Sequence, residues 1–314
     1  MRYSYIQNFK SSKIVLGTDG YGEVIDEKTA FRLMDVYRDY GGNHIDTAKL
    51  YCGGESEIIV GRWIKSRGRD NTVIATKGAH PDINTMHIPR LSKEEIEADI
   101  DSSLMRLGID CIDLYWLHRD NENVDCTQII ESMNDFVKKG KIKKFGCSNW
   151  KTARIEKANS YAKEHGSDTF CASQIRFSAA STAPDFTGDT TLVDMTPEEY
   201  GYYKKSDIAV MAFASQAKGF FSKILNGGKE ALSAKAEERY YCEANVKKAE
   251  FVAELSRKYG ISPAGITCAA LTSLSDADVF PIIGGKSEQQ IKESLEGADI
   301  ILEKDEIKKL VDFA

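Results

Sequence analysis

The chain has 314 residues, with 42 basic and 48 acidic side chains and a formal charge of −6 at pH 7. That length holds one large domain or two modest ones, and it is ample for a sizeable core. With 42% hydrophobic and 29% charged residues, the composition excludes a disordered or collagen-like chain, and the acidic balance argues against a nucleic-acid partner. The longest uninterrupted apolar run, residues 208–214, is too short to span a bilayer. The first ten residues carry no apolar run of the kind a secretory signal needs. Seven dispersed cysteines without a Cys-x-x-Cys pair read as reduced thiols of a cytoplasmic protein. No zinc spacing and no His-Glu-x-x-His is present.

Along the chain, short β-branched or aromatic runs alternate with longer amphipathic segments. The runs fall at 14–16, 43–46, 72–77, 111–118, 142–148, 171–174, 208–213 and 280–284. Helical patterns follow at 27–40, 55–65, 92–107, 127–139, 151–163, 246–259 and 287–295. In the first, Ala30, Phe31, Met34 and Tyr37 recur at spacings of three and four. The third opens on Ser92 with Glu95 three residues on, the signature of a capping box. Eight strands alternating with helices imply parallel pairing, and at this length the closed solution is a single-domain α/β (β/α)8 TIM barrel spanning residues 1–314. The rival, an open doubly wound sheet, usually announces itself by Gly-x-Gly-x-x-Gly after the first strand. Here Gly20 and Gly22 are followed by Ile25 where the third glycine belongs. Three segments, 78–91, 178–197 and 216–236, lack periodicity and are long for a compact fold. All follow strands, which places them on the barrel face where such enzymes do chemistry.

The second, third and fourth strands end in Asp46, Lys77 and His118, with Tyr51 five residues beyond Asp46. In a closed parallel barrel these ends share one rim. The set suits reversible reduction of a carbonyl, in which negative charge grows on oxygen and a proton donor must meet it. Tyr51 is the acid, because a phenol keeps its proton at neutral pH. Lys77 lowers the phenol pKa and eases proton release. Asp46 holds Lys77, and His118 donates a hydrogen bond to the substrate oxygen. The hydride must come from a cofactor.

These residues sit in a longer series of motifs that resembles the aldo-keto reductases. The series runs through Asn43-His44-Ile45-Asp46-Thr47-Ala48 to Tyr51, Gly54-Glu55-Ser56-Glu57, Thr76-Lys77, and Asp113-Leu114-Tyr115-Trp116-Leu117-His118. It continues with Gly146-Cys147-Ser148-Asn149, Gln174, Ala212-Phe213-Ala214-Ser215 and Ile282-Ile283-Gly284-Gly285-Lys286-Ser287. The resemblance implies an extended NADPH or NADP+ (NADH or NAD+ being possible), bound by a single barrel. Gly17, Thr18, Asp19 and Asp46 are then expected beside it, with Ser148, Asn149 and Gln174 on the carboxamide and Phe213 stacked on the nicotinamide ring. Ala214, Ser215, Gln216, Ala217, Lys218 and Gly219 match the loop over the pyrophosphate. Ile283, Gly284, Gly285, Lys286, Ser287, Gln290, Glu293 and Ser294 match the adenosine end, with Lys286 meeting a 2′-phosphate.

The chain departs from the pattern at Ser294, where many members carry asparagine, and at Gln216, where leucine is usual. Gly284 and Gln290 replace basic residues of some branches. Arg119 follows the catalytic histidine where several branches place tryptophan. With Tyr21 and Trp150 as apolar neighbours, it implies a small, polar carbonyl or alcohol substrate. The same resemblance admits an NAD-linked sugar or alcohol dehydrogenase, or a cofactor-binding regulatory subunit like those of channels. Oligomeric state is not legible.

Overall fold

A computed structural model describes residues 1–183, 186, 188–189 and 191–313. Its first element is one the alternation does not reveal, an antiparallel hairpin of β1 (Tyr3–Ile6) and β2 (Phe9–Ser12). Eight strands follow: β3 (Val15–Gly17), β4 (His44–Asp46), β5 (Val73–Gly78), β6 (Ile112–Leu117), β7 (Ile142–Ser148), β8 (Ala172–Arg176), β9 (Ala209–Phe213) and β10 (Val279–Ile283). Every neighbouring pair is parallel, and β10 closes back on β3. The barrel, in one domain, is therefore as the alternation requires.

Period-2 alternation sorts the strand residues into two cores. Val15, Ala75, Leu114, Trp116, Ala172, Met211 and Phe280 point inward and fill the barrel. Ile6 and Phe9 of the hairpin join them, so the hairpin plugs the end opposite the strand C-termini. Leu16, Ile45, Ile74, Tyr115, Leu117 and Val210 face outward onto the helices.

The outer layer holds α1 (Glu27–Asp39), α2 (Glu55–Arg67), α3 (Lys93–Leu107), α4 (Cys126–Lys138), α5 (Thr152–Glu164), α6 (Pro197–Tyr203), α7 (Phe220–Gly227), α8 (Ala234–Tyr240), α9 (Glu243–Tyr259), α10 (Pro263–Thr272), α11 (Glu288–Leu295) and α12 (Lys304–Leu310). Ser92 does close a capping box with Glu95 at the start of α3. Segment 216–236, read as long and without clear periodicity, contains α7 and the start of α8. The eight residues of α7 bury Phe220 and Phe221, too short a stretch for periodicity to register. The uniformly buried α10 also escapes a pattern search, because a helix apolar on all sides has no amphipathic stripe. The described residues of segment 178–197 carry no helix or strand as far as Thr196; residues 184, 185, 187 and 190 lie outside them. Among the described residues, no helix is long and apolar enough to cross a membrane.

Candidate active site

The rim site is assembled by buried polar residues behind it. Thr18 and Thr47 share the hydroxyl of Ser56, at 2.7 and 2.9 Å. Glu57, fully buried, accepts from Thr76 (2.5 Å) and Arg106 (2.6 Å). Asp99, also buried, accepts from Arg90 and from the Ala79 N–H at 2.9 Å and pairs with Lys49. Glu57 thus ties α2 to β5 and α3, and Asp99 ties the loops after β4 and β5 to α3. Tyr51 opens a tight turn in which Cys52, Gly53 and Gly54 all have positive φ. Left-handed backbone at successive positions favours the Gly-Gly pair, and the turn aims the phenol back across the rim.

There the four expected side chains meet. Lys77 Nζ, with no exposure, donates to Asp46 Oδ2 (2.5 Å), to the Thr47 carbonyl (2.8 Å) and to the Tyr51 hydroxyl (3.0 Å). Asp46 Oδ1 accepts from Gln174 Nε2 at 3.1 Å. The His118 ring stands edge-on to Tyr51, centroids 6.1 Å apart. Burial pulls the Lys77 ammonium down, but Asp46 and Tyr51 outweigh it and hold its pKa above the ordinary lysine value. For Tyr51, burial pushes the phenol pKa up by more than Lys77 pulls it down. The expectation of a lowered phenol is thus corrected: desolvation wins, and Tyr51 keeps its proton. His118 is driven well below the usual histidine range by burial, then by Lys77, Arg119 and His80, so its imidazole is neutral.

The residues expected to hold a dinucleotide lie along the same rim. Ser148 and Gln174 are opposite one another in register, and Asn149, at φ 59°, donates to the Ser148 hydroxyl while accepting from the Val193 N–H. Gly17 pairs with Asp46 in register; a Cβ there would meet Ile282 Cγ2 at 2.8 Å. Thr18 is buried, and its hydroxyl serves the rim rather than solvent; Asp19 is exposed. Phe213, half-buried, ends β9. Beyond it Ala214, Ala217, Lys218 and Gly219 have positive φ, backbone of the kind that turns N–H groups toward an anion. Ser215 donates to the Ile282 carbonyl at 2.6 Å.

At the adenosine end, Ile283 closes β10, Gly284 faces open space apart from Asp19, and Gly285 packs on Gln290. Lys286 is exposed, its N–H held by Gln290 Oε1 at 2.7 Å, and Ser287 caps α11. Glu293 accepts from Gln289. Two of the departures from the family pattern touch: Gln216 Nε2 donates to Ser294 Oγ at 2.9 Å, joining the loop after β9 to α11. These groups fit a dinucleotide: buried amides and hydroxyls at one end, a strained loop with a lysine in the middle, a helix N-terminus at the other.

The substrate expectations fare differently. Trp150 is fully buried against Phe170, centroids 5.1 Å apart, in the layer between strands and helices. Tyr21 is 1% exposed in that same layer. Both residues serve packing and offer a ligand no surface here. Arg119 does stand at the mouth, but it donates to the His118 carbonyl (3.0 Å) and Thr191 (3.2 Å) and faces Asp189 at 3.6 Å. Asp120 pairs with Arg154 at 2.8 Å. Sequence reasoning missed His80, whose ring packs edge-on against His118 with centroids 4.9 Å apart; it lies in an aperiodic loop that leaves no signal. It also missed Arg176, which period-2 counting from Gln174 does place on the rim.

Residues 13–314 match the Aldo/keto reductase family model. The chain is 26% identical to the norsolorinic acid reductase of Emericella nidulans, over 98% of this chain and 80% of that protein. It is 28% identical to the uncharacterised oxidoreductase YrpG of Bacillus subtilis, over 100% and 96%. A probable aryl-alcohol dehydrogenase of Saccharomyces cerevisiae is 26% identical over 91% and 88%. Among solved structures, a thermostable aldo-keto reductase in complex with the inhibitor epalrestat superposes over 100% of both chains, with a TM-score of 0.73 at 22% identity. The chain belongs to the aldo/keto reductase family, and it is an oxidoreductase acting on carbonyl or alcohol groups.

Proposed function

We propose that the protein is an NADP(H)-dependent reductase of aldehydes or ketones, working reversibly, with Tyr51 as the general acid and base. The observation that carries this reading is the chain of contacts from Asp46 through Lys77 to the Tyr51 hydroxyl. A nicotinamide dinucleotide, when bound, supplies the hydride. Tyr51, protonated at neutral pH, gives its proton to the substrate oxygen as charge grows there. Lys77, held charged by Asp46, favours the phenolate left behind. Neutral His118 hydrogen-bonds the same oxygen. The exposed Lys286 one residue ahead of the α11 N-cap supports a 2′-phosphate and hence NADP(H). A second reading, an NAD-linked dehydrogenase, is favoured by the scarcity of charge there: Lys286 is the one cation among residues 284–290.

The substrate is proposed to carry polar groups, because Arg119 brings a guanidinium 12% exposed to the mouth. The name of the aryl-alcohol dehydrogenase relative points to an aromatic substrate, and a substrate that is both aromatic and polar satisfies both. Cofactor-absorbance assays on a carbonyl panel with NADPH and NADH test the reading. Tyr51→Phe should lower kcat by about 10²–10⁴-fold while leaving NADPH affinity within a few-fold. A variant keeping half the wild-type kcat refutes the assignment.

A further inference from the structure

The chemistry above leaves one buried cation at the mouth without a task. Arg176 stands two residues beyond Gln174, on the same face of β8 and about 7 Å further along it. It is 5% exposed. Nη1 donates to Asp194 Oδ1 at 2.7 Å, but Nε and Nη2 are buried with no partner among the described residues. Those two atoms form the side-on edge of the guanidinium, whose parallel N–H vectors fit two oxygens of a carboxylate or a phosphate. The Tyr240 hydroxyl, in a residue 1% exposed, is likewise without a partner among the described residues. Both side chains line a cavity of about 150 Å³ whose wall includes Phe177, Met195, Asp194 and the C-terminal residues 310–313, where Lys248 pairs with the exposed Asp312 at 2.9 Å.

Buried donors left unmet are costly, and each calls for an explanation. Asp194 does not supply it. Its carboxylate is 39% exposed and screened by water, and it engages only one edge of the guanidinium. Asp189, 41% exposed, feels both Arg119 and Arg176 from the loop above and is screened in the same way. The positive charge is buried while its counter-charges are wet, so a desolvated anion gains more from Arg176 than the loop carboxylates do.

We propose that Arg176 and Tyr240 form an oxyanion subsite at the barrel mouth, taking the carboxylate or phosphate of a substrate whose acid group lies away from its reacting carbonyl. The diphosphate of a dinucleotide offers the same chemistry, and the experiment separates the two. Assigning the anion to a substrate rests on the carbonyl-reductase reading; the subsite itself does not.

The 314-residue chain and its Arg176→Met, Arg176→Lys and Tyr240→Phe variants are compared in three measurements. The first is the kcat/KM ratio of 4-carboxybenzaldehyde to benzaldehyde. The second is calorimetric binding of benzoate to the protein saturated with NADP+. The third is fluorescence titration with NADPH. Arg176→Met should lower both the ratio and benzoate affinity at least tenfold. Arg176→Lys, which keeps the charge but loses the fork, should recover only part of the loss. Tyr240→Phe, which deletes an unpartnered hydroxyl and so should fold, should cost about threefold and carries the test if Arg176→Met does not fold. A tenfold loss of NADPH affinity with the ratio unchanged keeps the subsite and gives it to the dinucleotide. All three quantities within twofold of wild type overturn the subsite. If the wild type reduces neither aldehyde, the carbonyl-reductase reading fails, while the benzoate and NADPH titrations still decide the subsite.

Discussion

Replacing Lys77 by methionine removes the one cation that compensates a buried carboxylate. In the native chain Lys77 Nζ makes three contacts, to Asp46, the Thr47 carbonyl and Tyr51. Without it, Asp46, whose side chain is 3% exposed, keeps only the Gln174 amide. Breaking a buried pair from one side costs about 3–5 kcal/mol, a large share of the roughly 5–15 kcal/mol that holds a domain folded. Burial already pushes the Asp46 carboxyl up, and Lys77 is the first force that opposes it. In Lys77→Met the folded-state pKa of Asp46 therefore rises further above its unfolded value. The proton is then bound more tightly by the folded state, so the variant loses stability as pH climbs from about 4. Urea titrations followed by tryptophan fluorescence at pH 5 and 7.5 measure this. The loss should be smaller at pH 5, and Lys77→Met with Asp46→Asn should regain more than half of it. A loss under about 1 kcal/mol at pH 7.5, against the buried-pair cost, or no rescue by asparagine, refutes the reasoning. Turnover of Lys77→Met should fall as well, since Tyr51 then faces burial without its counter-pull.

Lys286→Ala should weaken NADPH binding about tenfold or more while leaving NADH nearly unchanged, a charge-assisted contact being worth about 1.5–3 kcal/mol; equal losses in titrations of both cofactors would show that Lys286 does not read a 2′-phosphate. His44, buried against Ser11, has its pKa driven down to about 3 by burial. Its unfolded form binds the proton first, so its contribution to stability should be level above about pH 6.5 and fall by about 1.4 kcal/mol per unit below it, on top of the fall that buried His118 adds in the same direction. Urea midpoints between pH 7.5 and 5 should show this fall, with a shallower slope in His44→Gln. Arg119→Ala should lower kcat/KM for glyceraldehyde more than for benzaldehyde; an unchanged ratio would place Arg119 with Asp189 and Thr191 alone.

Much of this protein is decided by local pattern. Strand runs such as 72–77 and 142–148 are legible because every strand of a closed barrel alternates between filling and covering it. The rim residues Asp46, Lys77 and His118 are legible for the same reason, since a parallel barrel brings all strand C-termini to one end. Arg176 follows from Gln174 by the same counting. What pattern cannot carry is the balance of burial against charge. Whether Lys77 lowers the Tyr51 phenol depends on how far both are desolvated, and only the packed rim decides that burial wins. Trp150 and Tyr21 lie close to strand ends in sequence, yet packing turned them onto the helix layer. The contact of Gln216 with Ser294 crosses 78 residues of chain, and the unpaired edge of Arg176 is defined by which donors its neighbours leave unmet. Period and strand order follow from neighbours along the chain, whereas desolvation and partner geometry depend on residues that only folding brings together.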